Sequence, residues 1–208
     1  EPMSAARSVQ EFKELGLAGC HLEDQVNPKR CGHLDNKSIV SVAEMTMKIR
    51  AASDAKKDTN FLLMARTDAR ASEGLEAAID RCKAYIDAGA DAIFPEALQG
   101  WEEYEKVREA IDVPILANLT EFGKTPLLTK TELENLGYNI AIYPVTSLRL
   151  SMKAVEEGFS AIRQQGTQKE ILDRLQTRTR LYELIHYEDY NKFDEEIFNF
   201  GTDGHGSE

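Results

Sequence analysis

The sequence predicts an α/β protein, a (β/α)8 TIM-type barrel of which this chain carries about the last five strand–helix units followed by C-terminal helices. Short, continuous apolar runs typical of strands buried on both faces alternate with longer segments of helical spacing. Polar or charged residues follow nearly every apolar run. A barrel places all strand carboxyl ends around one mouth, whereas an open sheet has a crevice only where its strand order reverses. No Gly-x-Gly-x-x-Gly follows a strand, which also favours the barrel.

The predicted strands are the apolar runs that end in polar residues. They cover residues 16–20, 61–65, 92–94, 113–117 and 140–143. A barrel needs eight strands and a strand–helix unit takes roughly 30 residues, so about 90 residues are expected before Glu1. We therefore expect residues 1–200 to form the later part of one barrel domain with appended helices, followed by a disordered tail at 201–208.

The predicted helices lie before, between and after the strands. Apolar residues at helical spacing predict helices over 2–15, 40–55, 74–88, 102–111, 131–136 and 147–164. Ser38 is the expected cap of the second helix, and Gly89 should end the third. Another amphipathic helix is predicted over 168–185, and its inward residues are Ile171, Leu175, Tyr182 and Ile185. We expect the aromatic and acidic segment 187–200 to pack onto another surface, such as a second subunit.

Composition and charge exclude several classes of protein. The chain has 208 residues, 42% of them hydrophobic, enough for one large core. A net charge of −11 argues against a nucleic-acid partner, because phosphate contacts need clustered Lys and Arg, but a few converging cations could hold a small anionic substrate. The sequence shows no secretory signal and no apolar run that would span a bilayer, and it has three cysteines. We therefore expect a reduced, cytoplasmic protein without a membrane partner.

The candidate site begins where the first strand runs into Gly19-Cys20-His21-Leu22-Glu23-Asp24-Gln25. His21 and Glu23 are two residues apart, so their side chains leave the same face of an extended chain. The cysteine loop, residues 29–33, has the sequence Lys29-Arg30-Cys31-Gly32-His33 and surrounds one thiol with two fixed positive charges and a titratable ring. Such surroundings favour proton transfer or nucleophilic attack by cysteine. Cys20 and Cys82 lie on apolar faces and are expected to pack in the core.

Three further strand ends carry chemically useful side chains. Arg66, Glu96 and Asn118 follow successive predicted strands, and we expect them to line one mouth with His21 and Glu23. The residues alone leave a second interpretation of Arg66 open, a salt bridge with Asp68 or Glu96.

These motifs resemble the isocitrate lyase and phosphoenolpyruvate mutase superfamily. The resemblance is carried by the cysteine loop and by Met64-Ala65-Arg66-Thr67-Asp68, Phe94-Pro95-Glu96 and Asn118-Leu119-Thr120-Glu121-Phe122-Gly123, and it continues through 164–169 and 175–178. It implies a carbon–carbon lyase that uses Mg2+ to cleave a 2-hydroxy tricarboxylate. The branch matched best would cleave 2-methylisocitrate to pyruvate and succinate, in propionate catabolism by the methylcitrate cycle. The resemblance also implies a cytoplasmic homotetramer.

The resemblance implies roles for individual residues. Cys31 would be the general acid that reprotonates the succinate carbanion, Arg66 and His33 would be further catalytic residues, and Glu23 would contact Mg2+ through water. The residues implied in substrate binding are Cys31, Gly32, Arg66, Glu96, Asn118, Leu119, Thr120, Arg149 and Arg178. Arginine forks suit carboxylates, and Mg2+ keeps several of its waters, so both expectations are chemically consistent. Without the resemblance, Arg149 and Arg178 would be ordinary helix residues that extend their charges to water.

The chain departs from the family pattern at its start. The direct metal-binding aspartates and the substrate-binding Ser-Gly-Gly turn of the family have no counterpart in these residues. Alternatives therefore stay open: an isocitrate lyase giving glyoxylate and succinate, or a truncated barrel without catalytic activity. Phosphoenolpyruvate mutase-like and oxaloacetate-cleaving relatives usually lack the cysteine loop. Physical reasoning does not choose between 2-methylisocitrate and isocitrate, because one methyl group contributes only about 1–3 kcal/mol to discrimination.

Overall fold

Parallel strands and helices alternate along the chain, which confirms the predicted α/β class. The computed structural model describes residues 1–34, 36–57 and 60–199 and divides the chain into two units, Glu1–Arg149 and Leu150–Glu208. The described part of the first unit contains five strands: β1 Gly19–Glu23, β2 Leu62–Thr67, β3 Ala92–Pro95, β4 Leu116–Asn118 and β5 Ile140–Ile142. The tail predicted over 201–208 lies outside the described residues.

Strand order follows chain order, and every pairing is parallel. β1, β2 and β3 form one sheet in which Glu23 lies beside Arg66 and Arg66 beside Phe94. β4 and β5 form a second ladder, and a parallel bridge between Ile93 and Ile115 joins the two. Because the strands are parallel, the residues at their carboxyl ends meet at one edge.

The helices connect successive strands of the first unit and make up most of the second. In the first unit they are α1 Pro2–Glu14, α2 Val42–Lys56, α3 Ala69–Glu73, α4 Leu75–Asp87, α5 Trp101–Ala110 and α6 Lys130–Asn135. Helix α7, Thr146–Gln165, starts in the first unit and continues into the second, which also holds a 3₁₀ helix Lys169–Arg174, α8 Arg178–Leu184 and α9 Tyr187–Asn199. No helix in the described ranges is long and apolar enough to cross a membrane.

Two hydrophobic clusters pack against opposite faces of the strands. The larger cluster joins the strands to the helices, with Val9, Ile49, Leu63, Tyr85 and Ile93 among its buried members. Cys82 is 1% exposed in this cluster and Cys20 packs against its edge, which agrees with the core role expected of both. The smaller cluster consists of Met64, Ala92, Phe94 and Leu116. Arg66 lies two positions after Met64 on β2, and Asn118 lies two positions after Leu116 on β4, so both side chains point to the same face of the strands as the smaller cluster.

Predicted boundaries of three elements in the first unit are wrong by about three residues, and one of these is the start of β4, which lies at Leu116 rather than at residue 113. The first strand starts at Gly19 rather than at residue 16, because Gly16 has a φ of +80° and closes the end of α1, where the Leu17 amide donates to the Phe12 carbonyl. Helix α2 is capped by Ser41, whose hydroxyl accepts from the Glu44 amide at 3.2 Å. Ser38 is not the cap, because it lies in an extended segment before the helix, where its carbonyl accepts from the Val26 amide, and the first helical residue is Val42.

The single helix predicted over 168–185 is wrong. The chain is extended at Leu175, and the Thr177 hydroxyl accepts from the Arg180 amide at 3.2 Å and thereby starts α8 as a separate helix. The interruption changes the phase of the apolar stripe. Ile171 is buried as predicted, whereas Leu175 and Ile185 are about half exposed within the chain.

Candidate active site

The structure brings four predicted residues together at the carboxyl ends of β1 to β4. Glu23 ends β1 and lies with its carboxylate 3.7 Å from the Arg66 guanidinium. Glu96 follows β3, and its carboxylate lies 3.2 Å from Arg66 and 3.3 Å from the Asn118 side-chain amide. The fifth predicted residue, His21, lies nearby with its ring centroid 5.9 Å from that of Phe94. Register and side-chain alternation together produce this cluster.

Arg66 is the centre of the cluster and is only 8% exposed. Its Nε donates to Asp68 Oδ2 at 2.9 Å, its Nη2 donates to Asp68 Oδ1 at 3.3 Å, and its guanidinium lies over the Phe94 ring. Burial by itself would lower the pKa of Arg66, but the hydrogen bonds to Asp68 and the charge of Glu96 raise it above its ordinary value. Arg66 is therefore a fixed, fully charged group, and the salt bridges considered from the sequence are present.

Glu96 is ionised despite being 1% exposed. Burial by itself would raise its pKa, but contact with His33 and the charge of Arg66 outweigh that effect and hold the pKa below its ordinary value. The His33 Nε2 atom lies 2.7 Å from Glu96 Oε1, and His33 Nδ1 accepts from the Lys124 amide at 3.0 Å. His33 thus joins the cysteine loop both to the end of β3 and to the loop after β4.

The cysteine loop is held at several points around its thiol. Gln25 donates to the Arg30 carbonyl and accepts from the Arg30 amide, both at 2.9 Å. Lys29 lies 2.6 Å from Glu23. Gly32 packs so closely that an added Cβ would lie 2.6 Å from Arg66 Nη2 and from the Glu96 carboxyl carbon. Cys31 itself is exposed, which agrees with the polar setting expected for it.

The loop after β4 holds the next predicted residues. Asn118 donates to Glu96, and Thr120 is half-buried. The Leu119 side chain lies in the larger hydrophobic cluster and its amide donates to the Ile142 carbonyl at 2.9 Å, so only its backbone carbonyl remains available to a ligand.

The two remaining arginines lie in different units. Arg149, on α7, donates to the Glu121 carbonyl at 2.7 Å and covers the Phe122 ring, so it is joined to the loop after β4 and not directly to Arg66. Arg178 is exposed at the start of α8 in the second unit. Its role in substrate binding stays a prediction.

A buried network behind the site was not predicted. Asp24 is fully buried and accepts from the Thr67 hydroxyl at 2.7 Å, the Asp68 amide at 2.9 Å and the Tyr85 hydroxyl at 2.8 Å. Arg81 lies 3.5 Å from the same carboxylate. Burial raises the pKa of Asp24, and these donors oppose the rise. The sequence contains Asp24 within the quoted motif, but Tyr85 and Arg81 lie on a helix about 60 positions away, where no local pattern marks them.

Oxygen atoms without partners mark where a hydrated cation fits. Glu23 Oε1 and Asn118 Oδ1 are buried and accept no hydrogen bond in the described part of the chain. Such acceptors suit the waters of a magnesium ion, which usually keeps several of them. Within the described ranges no group of three or more His, Cys, Asp or Glu could hold a metal ion. The water-mediated contact of Glu23 with Mg2+ stays a prediction.

Comparison with known proteins identifies the family. Residues 1–163 match the family described as phosphoenolpyruvate phosphomutase. The chain belongs to the phosphoenolpyruvate mutase/isocitrate lyase superfamily.

Relatives in this superfamily include lyases. The chain is 57% identical over 201 residues to a probable 2-methylisocitrate lyase 1 of Corynebacterium glutamicum, an alignment that covers 96% of this chain and 66% of the relative. It is 49% identical over 195 residues to the 2-methylisocitrate lyase of Escherichia coli, and that alignment covers 94% of this chain and 66% of the relative. The chain thus spans about two thirds of the length of these relatives.

Solved structures of the superfamily share the fold. A 2,3-dimethylmalate lyase superposes with a TM-score of 0.86 at 30% identity, covering 100% of this chain and 69% of that one. A phosphonopyruvate hydrolase in complex with oxalate and Mg++ superposes with a TM-score of 0.79 at 27% identity, covering 93% of this chain and 68% of that one.

Proposed function

We propose that the protein is a carbon–carbon lyase that cleaves 2-methylisocitrate to pyruvate and succinate. The observation that carries the proposal is the contact of the cysteine loop with the Arg66–Glu96 cluster, where Gly32 packs against both side chains. Relatives at about half identity over nearly the whole chain bear the name of this activity. A carboxylate-binding arginine beside an exposed thiol is the pairing that this cleavage needs.

The chemistry divides between the two halves of the substrate. The bond between the hydroxyl-bearing carbon and its neighbour breaks, and the hydroxyl oxygen gives up its proton to a water molecule and becomes the keto oxygen of pyruvate. The electron pair of the broken bond stays on the carbon that becomes part of succinate. Cys31 then donates its thiol proton to that carbon. Glu96 and Asp68 hold Arg66 in place so that its guanidinium can orient a substrate carboxylate.

Charge balance supports a magnesium cofactor. Glu23, Asp68 and Glu96 face the cations Lys29, Lys37 and Arg66, so the described cluster is close to neutral. Three substrate carboxylates then require further positive charge. Mg2+ bound through water to Glu23 would supply it and stabilise the developing negative charge, and Arg149 and Arg178 would contribute more.

The same proposal extends to the assembled protein. The chain-order parallel strands support closure into a (β/α)8 barrel by strands additional to β1–β5. The exposed apolar residues of α7 and α9 support a homotetramer, which light scattering can test. Cytoplasmic location is proposed from the cysteine content and from the family.

An assay of the full-length protein tests the activity. We expect keto-acid release from 2-methylisocitrate in Mg2+, a loss of activity in EDTA, and a lower kcat/KM for isocitrate. Much higher kcat/KM for isocitrate would assign the protein to the glyoxylate-forming alternative. No keto acid from either substrate would contradict the lyase proposal.

A further inference from the structure

Lys37 connects the cysteine loop to the carboxylate that holds Arg66. Its ammonium donates to the Gly32 carbonyl and lies 3.0 Å from Asp68 Oδ1. The side chain is 2% exposed, which is rare for a lysine. A buried ammonium is costly unless oxygen atoms compensate its charge. Lys37 therefore holds the Gly32 carbonyl close to the Asp68 carboxylate.

The position of this contact in the loop matters. Cys31 is flanked by Arg30, which Gln25 holds through two hydrogen bonds, and by Gly32, which Lys37 holds through its carbonyl. His33 carries the third contact, to the loop after β4. The thiol is therefore placed by its neighbours on both sides. Lys37 supplies the contact immediately after it.

We infer that Lys37 is a positioning residue for the proton donor: it sets the place of the Cys31 thiol relative to substrate held by Arg66. The inference rests on the proposed lyase function. Asp68 binds both cations, and Arg66 reaches it through two nitrogen atoms without help from Lys37. Loss of the Lys37 ammonium therefore frees the Gly32 carbonyl and leaves the Arg66–Asp68 contact in place. Proton delivery should suffer and carboxylate binding should persist.

The chain contains a matched control at the opposite end of the strands. Lys56 is also buried and contacts one carboxylate, Asp91, and one carbonyl, that of Phe61 at 3.3 Å. Asp91 precedes β3 and accepts from the amide of Leu63, so this lysine lies at the amino ends of the strands, away from the cysteine loop. Lys37→Met and Lys56→Met each remove one contact of a buried ammonium with a carboxylate and one with a backbone carbonyl. Only the first lies next to the thiol.

The test compares the two variants in the full-length protein. For Lys37→Met we expect kcat to fall about 100-fold with KM changed by less than about threefold, because misplacement of a reacting group acts on the chemical step. Amide hydrogen exchange in the peptide over residues 29–34 should accelerate about tenfold, since the loop loses a charged hydrogen bond. For Lys56→Met we expect a lower melting temperature, with kcat and exchange of the loop unchanged.

Each outcome separates this role from a structural one. Equal effects of the two substitutions on kcat, or unchanged exchange of the loop in Lys37→Met, would overturn the inference. If Lys37→Met does not fold, Lys37→Gln is measured instead, since glutamine keeps a donor without the charge. If the wild-type protein cleaves neither tricarboxylate, the proposed function fails and the exchange comparison still decides whether Lys37 places the loop.

Discussion

Cys31 and Gly32 show how adjacent residues can have opposite constraints. Cys31 is exposed, and its thiol is available to a substrate. Gly32 has no room for a side chain, because Arg66 and Glu96 occupy the space where its Cβ would lie. The absence of a side chain at Gly32 thus lets the loop approach the cluster, and this approach places the thiol of the preceding residue, Cys31.

Cys31→Ser should abolish turnover in the full-length protein while leaving substrate affinity largely intact. A hydroxyl is a far weaker acid than a thiol and cannot deliver the proton at a useful rate. Binding should persist because, in the proposed function, arginine and metal contacts rather than the thiol hold the substrate carboxylates. The measurements are kcat and a calorimetric affinity, with Cys20→Ser as the control at a cysteine that packs against the core. A kcat within about tenfold of the parent, about 1.4 kcal/mol in barrier, would show that Cys31 is not the donor.

Gly32→Ala should lower kcat/KM by about 100-fold, because the new methyl group must displace Arg66 or Glu96 from positions that other contacts fix. The matched control is Gly100→Ala, where no heavy atom lies within 4 Å of the added Cβ and the backbone is extended. Steady-state kinetics of both variants give the comparison. Similar values for the two alanine variants would contradict the close packing of Gly32.

The first strand, the second strand and helix α4 are joined through one buried carboxylate. Asp24 follows β1, accepts from Thr67 and Asp68 at the end of β2, and accepts from Tyr85 on α4. Its partner Arg81 also lies on α4 and donates to Glu73 through two nitrogen atoms at 2.8 Å. The carboxyl ends of both strands are therefore fixed to the same helix.

Tyr85→Phe should lower the free energy of unfolding by about 1–3 kcal/mol, because the buried Asp24 carboxylate loses a donor and the Arg81 guanidinium an acceptor. Urea denaturation measures the change. Tyr138→Phe is the comparison, since the Tyr138 hydroxyl donates to one neutral carbonyl, that of Tyr104, at 3.2 Å. An equal decrease in the free energy of unfolding in the two variants would show that the hydrogen bonds to Asp24 stabilise the fold no more than a single bond to a neutral carbonyl does.

At the scale of the molecule, buried ionised carboxylates couple stability to pH. Asp68 resembles Glu96: burial by itself would raise its pKa, but Arg66 and Lys37 outweigh that effect and lower it. The unfolded chain binds protons at a higher pH than these groups do in the fold, so stability increases with pH in that range. Asp24, whose pKa is raised by burial, acts in the opposite direction.

The wild-type protein should lose stability as the pH falls below about 4, the ordinary range of Asp and Glu, through the lower values that Asp68 and Glu96 have in the fold. The contribution of these two groups is fully present above that range. Asp68→Asn should flatten the dependence, and Asp80→Asn, a change at an exposed position, should not. Denaturant unfolding from about pH 6 to about pH 3 provides the measurement. An identical pH slope for wild type and Asp68→Asn would contradict the assignment.

Local pattern was sufficient for several features of this protein. Apolar runs such as 61–65 and 92–94 predicted strands, because burial on both faces excludes polar residues within them. Gly89, which has a φ of +107°, follows the C-terminus of α4 and ends that helix as expected. The motif around Cys31 identified the family because such a sequence of charges and thiol is uncommon. Element boundaries were less accurate where a hydroxyl cap or a positive φ decided them, as at Ser41, Gly16 and Thr177.

By itself the sequence determined the α/β class, the superfamily and the set of polar strand ends, because these depend on residue type and on spacing over short distances. Only the tertiary structure decided which partner each charge has. Lys37 meets Asp68 across 31 positions and Tyr85 meets Asp24 across 61, so neither contact appears as a local pattern. Both arise because parallel strands bring distant segments to one edge, where a buried charge must find its counterpart.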